Sequence, residues 1–140
     1  MSKYFQVGDV TLWNPSHGVA NLFYAQSVAM QTIAGVPSGI AADNGLDEHD
    51  VDVPVFTAFV GALVARYRSS NHPVLLALIE GFTATALVMA DRAGVRVDAL
   101  HGPVGPNVSD ISLVGPRAGD DASRARLLEL AESLSYGMPR

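Results

Sequence analysis

The residue with the most chemical promise is Glu80, a carboxyl set among Leu76, Ala77, Ile79 and Ala84. Burial disfavours the charged form of a carboxylic acid, so such a group can be held protonated near neutral pH, the state a general acid uses. Its folded-state pKa is then expected above the unfolded value. Thr83 lies one turn further along the same face, and Tyr67 or His101 is the expected counterpart in proton transfer. An ordinary role stands beside this one. Glu80 can face a strip of solvent, or pair with Arg66, Arg68 or a cap amide of another helix, and carboxyls perturbed in that way are common outside active sites.

The remaining chemistry-bearing residues form no coherent set. His17, His49, His72 and His101 include no pair four residues apart, the spacing at which one helix face presents two imidazoles to a metal. His17 and His72 sit beside proline-initiated helix starts, where a ring nitrogen can satisfy a free amide. His101 opens the loop HGPVGP. The acidic run DNGLDEHDVD lacks the alternating oxygens and closing glutamate of a calcium loop, and reads as a solvated segment. Neither a GxGxxG nor a GxxxxGK phosphate loop occurs, and no serine lies in a GxSxG turn. Cysteine is absent, which removes thiol catalysis and cysteine-ligated zinc. No metal and no cofactor is expected.

Composition narrows the partners. Apolar residues make up 49% of the 140 and charged residues 16%, enough apolar surface to offset the entropy of folding without staples. The net charge of −5 offers no attraction to phosphate backbones or anionic lipid, so neither nucleic acid nor a membrane is an expected partner. The opening MSKYFQVGDV lacks the apolar run of a signal peptide, and the cytoplasm is the expected location.

The elements that must position these residues read as mainly α: a compact bundle of about four helices round an apolar central helix, in one domain. Residues 1–13 predict a β-hairpin turning at Gly8-Asp9, with Val7 opposite Val10, Phe5 opposite Leu12, and those four side chains on the packed face. Tyr4 and Trp13 fall on the other face as exposed aromatic anchors for a partner, or as cover over the first helix. Residues 14–94 predict a three-helix core. Its first helix is capped by Asn14 and Pro15 and buries Val19, Leu22, Phe23, Met30 and Ile33, and a mobile, exposed acidic loop over residues 41–52 follows. The second carries the stripe Phe56, Phe59, Val60, Leu63, Val64, Tyr67, with Thr57, Gly61 and Ala65 as a small-residue face for a close neighbour. The third, residues 73–93, has Glu80 as its only charge before Ala90 and is the central helix. Residues 95–121 form an irregular connection in which VRV and DISLV are β-like, the latter a candidate extra edge strand. A final helix over 122–137 buries Leu127, Leu130, Ala131 and Leu134.

The opening YFQVGDVTLWNPS, followed by VFTAFVGALVARYRSSNHPVLLALIEGFTATALVMADRAG, resembles an uncharacterised family of short actinobacterial proteins classed as a domain of unknown function. The likeness covers most of the chain up to Gly94. It implies no activity, cofactor or site.

Two functions follow as expectations. The first is a non-catalytic interaction or regulatory module that binds a partner protein or itself. The second is a cofactor-free enzyme of the cyclase or isomerase type, acting on a small apolar ligand in an interhelical pocket with Glu80 as acid or base. A cavity around Glu80 favours the second, and an exposed apolar patch favours the first.

Overall fold

The computed structural model describes residues 1–103 and 120–140, with side chains from 122 onward in the second stretch. Among the described residues the order is β1 (Tyr4–Val7), β2 (Val10–Trp13), α1 (His17–Ala34), β3 (Glu48–Asp50), α2 (Val53–Ser69), α3 (Pro73–Arg92), a short 3-10 turn (Asp98–Leu100) and α4 (Asp120–Ser135). Among the described residues the protein is mainly helical, with four helices and a small three-stranded sheet.

Gly8 takes φ +56° at the tip of the β1–β2 hairpin, a conformation glycine adopts without steric cost. Val7 pairs with Val10, but a bulge between Phe5 and Gln6 moves the register so that Phe5 faces Trp13 instead of Leu12. The packed face changes accordingly: Phe5, Leu12 and Trp13 are buried and Val10 is exposed. Trp13 is therefore no exposed anchor. At 5% exposure it stacks on Phe5 and meets the Phe23 ring edge-on, whereas Tyr4 does remain exposed.

The acidic segment is a correction of a different kind, because it supplies β3. Glu48–Asp50 pairs in parallel with β1, Phe5 opposite His49, and the crossover between them runs through β2 and α1. His49 is buried, its ring stacked on Phe5 with Nδ1 2.8 Å from the Ala41 carbonyl. Lys3 Nζ forms an ion pair with Asp43 at 2.6 Å, and the His17 ring lies 3.3 Å from the Asp47 carboxylate, so both ends of the segment's turn are held close to the body of the fold. The Lys3 ammonium holds the pKa of the Asp43 carboxyl down at about 2. Gly39 seals the approach to α2: a Cβ there would lie 2.7 Å from the Phe56 nitrogen.

α1 begins at His17, after Ser16, so Asn14 is not its cap; the Asn14 backbone N–H instead donates to the Pro139 carbonyl at 2.7 Å. It buries only Ala20, Phe23 and Ser27; Val19 and Leu22 face outward. α2 starts with the Asp52 side chain accepting from the Val55 amide, and its whole predicted stripe is buried. Among the described residues its small-residue face meets no helix: Ala65 is exposed, and a Cβ on Gly61 would have nothing within 4 Å. α3 starts on His72, whose Nδ1 accepts from the Val74 and Leu75 amides. It packs against α2 and α4, buried from Phe82 to Ala90 except at Thr85. By length and composition α3 could cross a membrane, but half of that stretch is buried in the fold.

The VRV segment at residues 95–97 is not a strand and leads into the 3-10 turn; DISLV lies outside the described residues. α4 buries Leu127 and Ala131 and half-buries Leu130 and Leu134. Arg92 bridges distant parts of the chain, donating to the carbonyls of Leu12 at 2.8 Å and Ser135 at 3.3 Å.

Phe5→Ala removes a fully buried ring at the meeting of both hairpin strands, β3 and α1. It should cost about 3 to 5 kcal/mol. Urea denaturation measures this, and an unchanged midpoint would mean that the sheet does not contribute to the core.

Candidate functional site

Tyr67 near the end of α2, Glu80 in the first half of α3 and Arg126 of α4 meet at one point. Tyr67 Oη donates to Glu80 Oε2 at 2.5 Å, while Arg126 donates through Nε to Oε2 at 2.7 Å and through Nη2 to Oε1 at 2.9 Å. The two arginine bonds form the forked, charge-assisted pairing that guanidinium and carboxylate geometry favours. The Glu80 side chain is 16% exposed and that of Arg126 68%. Beside them Leu76, Ala77 and Ser123 help line a cleft of about 470 Å³.

The protonation states oppose those expected of an acid catalyst. The Arg126 fork, foremost, holds the Glu80 carboxyl below the ordinary carboxylate range; burial opposes it, and the Tyr67 hydroxyl reinforces it. Burial, then the bond to Glu80, pushes the Tyr67 phenol above its ordinary value. Across the neutral range the carboxyl is charged and the phenol neutral. The expected protonated Glu80 is thus overturned, because the isolated burial it needed is relieved by a cation 46 residues away in sequence. The trio is a clasp between three helices.

Glu80 and Tyr67 are therefore brought together, but the other candidates are not. Thr83 is fully buried in the core, and among the described residues its hydroxyl has no hydrogen-bond partner. His101 is exposed on a separate cleft of about 650 Å³, with Leu87, Val88, Leu100, Leu128 and Ala131 among its walls. Arg68, one of the partners considered for Glu80, instead donates to the carbonyls of Ala99 and Gly102 at 2.6 and 2.9 Å, fixing the 3-10 turn to α2. Among the described residues no three His, Asp or Glu side chains converge as metal ligands.

A second surface was hidden by the helical periodicity. α1 has eighteen residues, HGVANLFYAQSVAMQTIA, and not one Asp, Glu, Lys or Arg. Gly18, Val19, Leu22, Ala25, Gln26 and Ala29 are all exposed on it, Leu22 at 60%. The neighbouring face of α3 continues the apolar surface with Val74 and, at 68% exposure, Leu78. Between the helices lies a hollow of about 140 Å³. Solvated helix faces ordinarily carry charge, so a bare face of this kind departs from the usual pattern of a surface helix.

Because the folded pKa of Glu80 is depressed below 4.5, its contribution to stability is complete above that value and fades as pH falls through the folded value. Glu80→Gln should be less stable than the parent at neutral pH, with the two converging in acid. Tyr67→Phe should cost about 1 kcal/mol at neutral pH. Denaturation at a series of pH values measures both; parallel profiles for Glu80→Gln and the parent would show that the clasp carries no weight.

Neither the curated proteins nor the solved structures compared with this sequence include a match. The family comparison does find one, and it extends beyond Gly94 to the whole length: over residues 1–140 the sequence fits the family of unknown function DUF6086, and the chain belongs to that family.

Proposed function

We propose that this protein is a non-catalytic interaction module that works by burying the α1 face against another protein surface. The observation that carries this is a surface helix of eighteen residues without one charged side chain of the Asp, Glu, Lys or Arg type, only three of whose residues are buried. An apolar surface left in water is unfavourable by about 25 cal/mol per Å², so covering it is the natural source of binding energy. The competing reading, a cofactor-free enzyme, keeps a cleft of suitable size beside Glu80. Its named acid and counterpart are, however, bonded to each other and each fixed in one protonation state. That weighs toward binding and away from turnover.

A photo-activated cross-linking residue placed at Ala25 should give one discrete protein adduct in cells of the source organism. The same residue at Leu46, exposed on the acidic loop, should give none. Equal labelling from both positions, or none from either, would refute α1 as the contact surface.

A further inference from the structure

The backbone brings two arginines, Arg92 and Arg140, to one place. The Asn14 N–H donates to the Pro139 carbonyl and Met138 is buried, which sets residues 138–140 beside the end of β2, where Arg92 holds the Leu12 carbonyl. Burial, and after it the charge of Arg140, push the Arg92 guanidinium below its ordinary value. The acceptors of Arg92 are neutral carbonyls, and among the described residues neither arginine forms an ion pair. Two like charges so placed are unfavourable until an anion lies between them.

Both arginines line the cleft of about 650 Å³ between α3 and α4, a volume within the range of roughly 300 to 1,000 Å³ usual for small-ligand sites. Early residues of the two helices meet at Glu80 and Arg126 and late ones at Arg92 and Ser135, so the helices run in the same direction and the cleft changes character along them. Its walls are apolar at the level of Leu87, Val88 and Leu128, and polar at the level of Arg92 and Ser135. Leu128 is 39% exposed there. About 10 Å of α4 separates it from Ser135. Asp91 and Glu132 stand at the polar end as well, which favours a ligand with a single negative charge over one with two or three.

We propose that this cleft binds a small monocarboxylic acid with an apolar body about eight carbons long, matching the length of the cleft, its carboxylate between Arg92 and Arg140 and its hydrocarbon along Leu87, Val88 and Leu128. Guanidinium groups suit a carboxylate in geometry and stay charged throughout the physiological range. With five N–H donors, Arg92 keeps some for a ligand after its two bonds to carbonyls. The hydrocarbon supplies affinity by covering apolar wall that otherwise meets water. No residue of α1 lines the cleft, so the site is separate from the contact surface proposed above and does not rest on it.

Octanoate, octanamide and octylammonium share a chain and differ in the charge of the head, so titrating the full chain with each tests both ends of the cleft. Calorimetry should show octanoate binding at least about tenfold more tightly than octanamide, and octylammonium more weakly still. Amide NMR shifts caused by octanoate should fall on residues 87–101 and 128–140 and spare α1. Arg140→Gln should weaken octanoate by about tenfold and leave octanamide unchanged; Arg140 is exposed, so the melting temperature should hold. Leu128→Glu, also at an exposed position and with a good helix former, should abolish binding of octanoate and octanamide alike without unfolding the protein. A protein that binds none of the three, or that prefers octylammonium, would overturn the site. So would octanoate binding indifferent to Arg140→Gln, or shifts centred on α1.

Discussion

A run of stacked and edge-on rings holds this molecule together, and most other features depend on it. His49 stacks on Phe5 at 4.8 Å, Phe5 meets Phe23 edge-on at 5.3 Å, Phe23 stacks on Phe82 at 4.7 Å, and Phe82 meets Phe59 at 6.0 Å. In that order the rings join β3, β1, α1, α3 and α2, five elements spread along the described chain. Such pairs contribute beyond their buried area and have preferred geometries, so they orient the elements as well as attaching them. The run also explains how α1 stays docked while burying so little. Phe23, flanked by Ala20 and Ser27, provides its main anchorage, and Tyr24, Met30, Ile33 and Ala34 are half-buried against the same core.

The Tyr67–Glu80–Arg126 clasp belongs to the opposite kind of interaction. A forked ion pair is directional, and its net contribution is modest because water competes for the exposed guanidinium. Its main consequence is positional: it fixes the register of α4 against α3, and with it the seating of Leu127 and Ala131. Glu80 is retained in an otherwise apolar helix because it has two donors to satisfy it, from helices on either side in the sequence.

Legibility in the sequence followed the range of the physics. The stripe from Phe56 to Tyr67 was readable because every member faces one core, so a period of three and four residues records it in full. The starts of α2 and α3 were readable because the caps act within three residues. α1 misled because periodicity reports an apolar face without saying whether the protein's own core or something else covers it; Val19 and Leu22 proved to be outside. β3 was hidden by its acidic composition, since only His49 and Val51 of that segment turn inward. Arg126 could not be paired with Glu80 from spacing at all, because no local rule reaches across 46 residues.

The hydrogen bond from Asn14 to Pro139 and the two-carbonyl grip of Arg92 on Leu12 and Ser135 bear on how the molecule is made. A nascent polypeptide can close the hairpin and wind its first three helices while still being synthesised. It lacks the acceptors that hold the hairpin's end until the residues up to Pro139 have cleared the ribosome. Contacts of such long sequence separation form late and slowly. Until then the exposed apolar face of α1 stands on a partly assembled body, the stage at which a nascent chain is most prone to non-native contacts.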